Sequence, residues 1–354
     1  MFRPETRIFA GTAMNNHPRD LLRLASAFTP RRAVNAARVL ANYQASRLTG
    51  KVVAPPFPIS LAIEPTTSCN LRCPECPSGL RSFTRPTGML DPDFFRSVID
   101  QVHRDVAYLV FYFQGEPFLH PQFTDLVRYA KSKRIYTATS TNAHYLSPEK
   151  ARETVASGLD RLIISIDGTT QDTYSQYRVG GSLEKVLEGT RNIIEAKRKA
   201  GAATPYTVFQ FLVVRPNEHQ VQDVRNLARE LGVDRVVLKT AQVYDFEHGN
   251  PLIPENPRYA RYRQSKDGRW EIRNPLDNRC WKLWHSAVVT WDGRVVPCCF
   301  DKDAQHVMGH LEKRSFREIW NGPEYAVFRN QLIKGRSEID ICRNCSEGLS
   351  VFTE

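Results

Sequence analysis

From residue 59 onward, short apolar runs alternate with segments of helical period. Residues 59–65, 108–113, 135–140, 161–166, 206–214 and 235–240 are rich in β-branched and aromatic side chains and read as strands. Helical segments separate them: 91–102, with Asp91 as cap and Pro92 at its first position; 121–132; 147–158, opened by Ser147-Pro148 and stopped at Gly158; 183–200, ended by Gly201; and 220–231, closed by Gly232. Strand–helix alternation with nearly continuous apolar strands predicts a parallel sheet with helices outside it. Six units are fewer than the eight of a closed barrel, and periodicity alone also allows a doubly wound sheet. Upstream, 20–28 places Leu21, Leu22, Leu24, Ala25 and Phe28 mostly on one helical face, and Thr29, Pro30 and Gly50 delimit a second helix. Residues 244–277 break the pattern, with Pro251, Pro254, Pro257 and Pro275 among Tyr259, Tyr262 and Trp270, and read as a linker or lid.

Charge changes this picture at one end only. The 354-residue chain carries +11, of which residues 1–56 hold +7 through nine basic residues, Arg3 and Arg7 among them, against Glu5 and Asp20. A basic, one-sided helix can lie on an anionic membrane surface, which would put residues 19–50 in peripheral contact with its inner face. The other role is a decorating hairpin packed on the sheet, and that is the expectation, because short amphipathic helices usually bury their apolar face in their own protein. The arginines are not interleaved with a stacking-aromatic platform, so nucleic acid is not an expected partner. No apolar run nears membrane-spanning length, with 107–113 among the longest. No apolar core with a small-residue cleavage site marks a signal peptide.

The chemistry lies in eight cysteines. Without a secretory signal they are expected to stay reduced, in a cytoplasmic protein, rather than pair as disulfides. Cys69, Cys73 and Cys76 are spaced C-x3-C-x2-C in the loop after the first strand. A four-iron cluster takes four thiolates, so three leave one iron with an open position for a ligand. Zinc would want a second pair nearby, and the next cysteine is Cys280. The loop resembles that of the radical S-adenosylmethionine (SAM) superfamily. Family resemblance implies a partial (βα)6 TIM-like barrel, with SAM chelated on the open iron and cleaved reductively to a 5′-deoxyadenosyl radical.

Other positions extend the resemblance. Gln114-Gly115-Glu116-Pro117 is similar to the family's GGEP motif, which implies that Gly115 and Glu116 meet the amino group of SAM. At the end of the fourth strand Ser165, with Arg178 downstream and Asp167 as a lesser candidate, matches family positions for the ribose or carboxylate. Asn217 and Lys239 are further candidate contacts. Cys280, Cys298, Cys342 and Cys345, with Gly293 placed G-x4-C before Cys298, resemble the shorter, twitch form of the SPASM extension. This implies one auxiliary [4Fe-4S] cluster, although these four alone could also hold zinc. Cys299 is set aside because adjacent strand residues point to opposite faces.

The expected layout is a basic helical extension over 1–56, a radical SAM partial barrel over 57–243, a linker or lid over 244–277, and a small hairpin-and-helix iron–sulfur domain over 278–354. The expected activity is hydrogen abstraction from a peptide or small molecule, with an electron donor such as flavodoxin or ferredoxin. The competing class is a non-catalytic, metal-stabilised scaffold or adaptor.

Overall fold

The computed structural model describes residues 18–273 and 275–345. Arg3, Glu5 and Arg7 of the basic extension, and residues 346–354 of the C-terminal region, lie outside them.

Six parallel strands run in chain order: β1 (Ser60–Ile63), β2 (Tyr108–Val110), β3 (Tyr136–Thr141), β4 (Arg161–Ser165), β5 (Tyr206–Val213) and β6 (Arg235–Thr240). All expected helices form between them. Asp91 caps Pro92–Val102 by accepting from the Phe94 N–H, Ser147 caps Pro148–Ala156, and Gly232 ends Val221–Leu231 in the left-handed region. Leu61, Leu109, Phe111, Leu162, Ile164, Phe209, Phe211 and Leu238 join the main core with the helices. The alternate positions Ile163, Tyr206, Val208 and Val237 form a separate inner cluster. That two-sided burial defines a barrel wall.

The sheet does not stop at β1. A strand from the C-terminal region, β9 (Ser286–Val289), pairs parallel to β1, and β10 (Arg294–Val296) and β11 (Gly309–His310) continue it antiparallel. The order is β11-β10-β9-β1-β2-β3-β4-β5-β6. The hairpin expected to build its own small domain therefore extends the barrel wall. Glu64, just past β1, fixes this junction: its carboxylate takes a bidentate, fully buried pair from Arg85 at 2.6 and 2.8 Å and a third bond from the Trp291 N–H. The 244–277 segment is also more structured than a linker. It holds the hairpin β7 (Tyr262–Gln264) and β8 (Trp270–Ile272), and Phe246 stacks on the buried Tyr262 ring. Leu252, Ile253 and Tyr262 pack in one cluster with Leu71 and Cys73 of the cysteine loop.

At the opposite end, helix α1 (Pro18–Ser26) covers the barrel floor, and α2 (Pro30–Thr49) packs with its Val39 in the main core. Asp20 is buried, accepting from the Tyr136 hydroxyl and pairing with Arg161 at the starts of β3 and β4. Leu24 and Ala27 pack on Tyr136 and Ala138. The buried Arg32 guanidinium donates to the carbonyls of Ala27, His103, Lys133 and Arg134. The face differs from the expected one, for Leu21 and Leu22 are exposed. An Asp paired with a barrel arginine orients α1, and hydropathy gives no sign of that.

Candidate active site between two cysteine sets

The cysteine loop leaves β1 at the end of the sheet where the Cβ-free backbone of Gly115 receives it. Gly115 has φ +75°, and a Cβ there would lie 2.2 Å from the Thr66 carbonyl oxygen. Only glycine allows that approach. Its N–H donates to Ser78 at 2.9 Å, and the Glu116 N–H donates to the Ser68 carbonyl at 2.8 Å, so the Gln114-Gly115-Glu116 turn holds both ends of the loop. Gly79 is equally tight, with a Cβ meeting Cys73 backbone at 2.5 Å. The three thiols share a site: Cys73 and Cys76 both act electrostatically on Cys69. Burial pushes the Cys69 thiol up to about 11, against the opposing Leu71 N–H bond.

Glu116 is almost fully buried, and its carboxylate accepts from Thr141 at 2.7 Å, the Asn142 N–H at 2.7 Å and the Phe118 N–H at 3.2 Å. Burial pushes its pKa up to about 7 despite those donors. The carboxylate thus ties the end of β2 to the end of β3. Ser165, buried at the end of β4, lies 3.4 Å from the Ser140 hydroxyl. Arg178 pairs with the buried Asp167 and reaches the Cys73 sulfur at 3.8 Å. Asp167 also accepts from the Leu212 N–H at 2.7 Å. Asn217 is spent internally: it is fully buried, donates to the carbonyls of Asp167 and Leu212 and accepts from the Val214 N–H. It braces β4 against β5 rather than facing a ligand, which corrects its candidacy. Lys239, on β6, also has a partner within the protein.

The second set gathers from three segments. Cys298 lies within electrostatic reach of Cys280 and Cys345, and Cys342 of Cys280. Burial pushes Cys342 up to about 12. Cys299 turns the other way and packs with Ala62, Phe113, Val288, Val296 and Ala304 on the barrel side. Arg336 was not foreseen. It is fully buried, donates to the carbonyls of Arg279 and Asp277, and acts on Cys345, Cys280 and Cys342, with a hydrogen bond to Cys345. Its only signal in the sequence is a basic residue six positions before Cys342.

Both sets suit a bound anionic cluster by the same test. Several buried thiols cannot ionise together without a cation among them, and two guanidiniums, the partly buried Arg178 and the buried Arg336, stand where an iron–thiolate cluster would leave net negative charge. Among the described residues, no three His, Cys, Asp or Glu side chains are spaced to hold a single metal ion.

Between the sets lies the 301–304 turn. Lys302 donates to the Tyr244 hydroxyl at 2.9 Å and sits over that ring at 4.6 Å. Cys76 of the first set and Cys299 beside the second both act on its charge.

Comparison with known proteins agrees with this arrangement. The radical SAM superfamily model matches residues 63–236, and an iron–sulfur cluster-binding domain model, SPASM, matches residues 280–346. A tungsten-containing aldehyde ferredoxin oxidoreductase cofactor-modifying protein from Pyrococcus furiosus is 25% identical over 329 residues, covering 81% of this chain and 86% of its own. PqqA peptide cyclase from Gluconobacter oxydans is 27% identical over 295 residues, covering 78% and 80%. Among solved structures, Streptococcus suis SuiB bound to S-adenosylmethionine shares the fold with a TM-score of 0.62 at 14% identity, over 89% of this chain and 77% of that one.

Proposed function

Since this chain belongs to the radical SAM superfamily and carries its SPASM iron–sulfur domain, we propose that it modifies a peptide or small molecule held between its two cysteine sets. The enzyme class prevails over the scaffold alternative, for the relatives are named as enzymes: peptide cyclase, heme synthase and maturase. When bound, a [4Fe-4S] cluster held by Cys69, Cys73 and Cys76 would, together with SAM, supply radical chemistry for removing a hydrogen atom from substrate.

Every other contribution belongs to the chain. Cys69, Cys73 and Cys76 would hold three irons, and Cys280, Cys298, Cys342 and Cys345 a second cluster. Gly115 brings backbone against the cysteine loop, and Glu116 fixes the strand ends beside it. Ser165 offers a hydroxyl at the barrel rim, and Arg178 places positive charge beside Cys73. The plugged floor closes one mouth of the barrel, leaving the cysteine end for substrate. A small redox protein such as flavodoxin or ferredoxin would serve as electron donor. The contacts of Arg31 with Asp105 and of Arg32 with four carbonyls support the packing role of the N-terminal helices over membrane contact, and no described helix is long and apolar enough to span a membrane.

The observation that carries the proposal is the 301–304 turn that follows Cys298 and Cys299: Asp303 accepts from the Thr84 and Arg85 N–H groups at 2.9 and 3.3 Å, which docks the second cysteine segment on the chain just after the three-cysteine loop. Anaerobically prepared protein should hold about eight irons, falling to about four when Cys69, Cys73 and Cys76 are changed together to Ala. With SAM and dithionite it should form 5′-deoxyadenosine. A fully iron-loaded preparation that leaves SAM intact would refute the reading.

A further inference from the structure

The three best-placed polar groups outside the ligand sets are Cys299, Arg336 and Lys302. Of these, Lys302 stands within electrostatic reach of both Cys76 in the first set and Cys299 beside the second. Its turn is fixed before any ligand arrives: Asp301 accepts from the N–H groups of Gln305 and His306 at 2.8 and 2.9 Å. Asp303 accepts from the Thr84 and Arg85 N–H groups at 2.9 and 3.3 Å, and Arg85 donates to the Lys302 carbonyl at 3.3 Å. The ammonium is thus aimed by a rigid turn docked on the loop that follows the three-cysteine motif.

An ammonium has three donors. One meets the Tyr244 hydroxyl, and among the described residues Lys302 makes no ion pair. Glu75 acts on it from farther away, its own carboxylate accepting from the Tyr244 N–H at 2.9 Å. Arg261 adds positive charge, its guanidinium held by the Asn344 carbonyl at 3.3 Å. A half-buried cation with donors to spare, backed by an aromatic ring, is a prepared anion site.

We propose that Lys302 and the Tyr244 hydroxyl form a subsite for a carboxylate of the substrate, placed between Cys76 and Cys299. This rests on the function proposed above and deepens it by naming a substrate class: a molecule with a carboxylate near the carbon that is modified. A carboxylate fits better than a phosphoryl group. The latter is typically gripped by a guanidinium fork or a helix N-terminus, whereas a single ammonium beside a phenol matches one negative charge, and a second would face Glu75.

The test reads the lysine directly, without turnover. Anaerobic holoenzyme is treated with a trace of an acetylating N-hydroxysuccinimide ester, and the acetylation rate of each lysine is followed by peptide mass spectrometry. The exposed Lys199 is the internal reference. Succinate at tens of millimolar should slow acetylation of Lys302 by about fivefold, the effect of near-saturating occupancy, while chloride at equal ionic strength should not. Glu75→Gln should lower the half-protecting succinate concentration by about threefold, as expected for a lost like-charge neighbour of the anion. Equal protection by chloride, no protection, or better protection by inorganic phosphate overturns the assignment. So does complete protection by SAM alone, which would give Lys302 to the cofactor. An enzyme that forms 5′-deoxyadenosine with Lys302 unprotected keeps the proposed function and loses this site. Protection without SAM cleavage does the reverse.

Discussion

Glu116 shows what a single residue contributes and how to measure it. Its folded pKa lies near 7, raised by burial above the ordinary carboxylate value. The folded state then binds more protons than the unfolded one between about pH 4.5 and pH 7. By linkage, this group's contribution makes the apoprotein less stable as pH rises through that window. Subtracting the unfolding free energy of Glu116→Gln from that of the wild type should give a difference that declines from about pH 4.5 to 7 and is flat outside it. A difference that does not vary with pH would show a carboxylate with an ordinary pKa. The motif itself was legible in the sequence, since Gly115-Glu116-Pro117 follows an apolar run. The use of the carboxylate was not, because its partners Thr141 and Asn142 come from the next strand and only pairing brings them near. Asn217 misled for the same reason: an amide at a strand end looks like a ligand group until its donors are seen to be consumed by the backbone.

At the level of elements, periodicity placed all six barrel strands and the longer helices between them, because each is a local pattern, but it passed over the short helix at Gln171–Tyr177. What it could not foresee was face and partner. Leu21, Leu22 and Leu24 look like the buried side of α1; with Asp20 paired to Arg161, Leu24 and Ala27 turn inward while Leu21 and Leu22 are exposed. The two adjacent cysteines lie just past β10, with Cys298 in reach of Cys299, Cys345 and Cys280, and Cys299 packed against the cluster of Phe113, Val288, Val296 and Ala304. This makes a sharp prediction. Cys298→Ser should lose the auxiliary cluster, about four irons, and Cys299→Ser should retain it, both read by iron analysis of anaerobic protein. Equal loss in the two variants would mean that Cys299 is also a ligand.

Over the whole molecule, α1 packs on the inner side of β3 while β9, β10 and β11 extend the sheet beyond β1. Asp20→Asn keeps α1 but should leave Arg161 buried without its carboxylate, an uncompensated charge that typically costs about 3–5 kcal/mol. The urea midpoint should fall accordingly, and an unchanged unfolding curve would show that the pair is dispensable. The C-terminal hairpin lies on the other side of β1, with Ser60 opposite Ser286, and this has a consequence for biosynthesis. β1 emerges from the ribosome early, but its second neighbour is made more than two hundred residues later. At ordinary elongation rates that is a wait of roughly 10–40 s. Throughout it, a strand of Ser-Leu-Ala-Ile offers a bare row of backbone donors and acceptors. The nascent barrel can assemble from β1 toward β6 during that interval, but its first edge stays open to aggregation until β9 has been made. A chain stalled or truncated before β9 is therefore a natural client for chaperones.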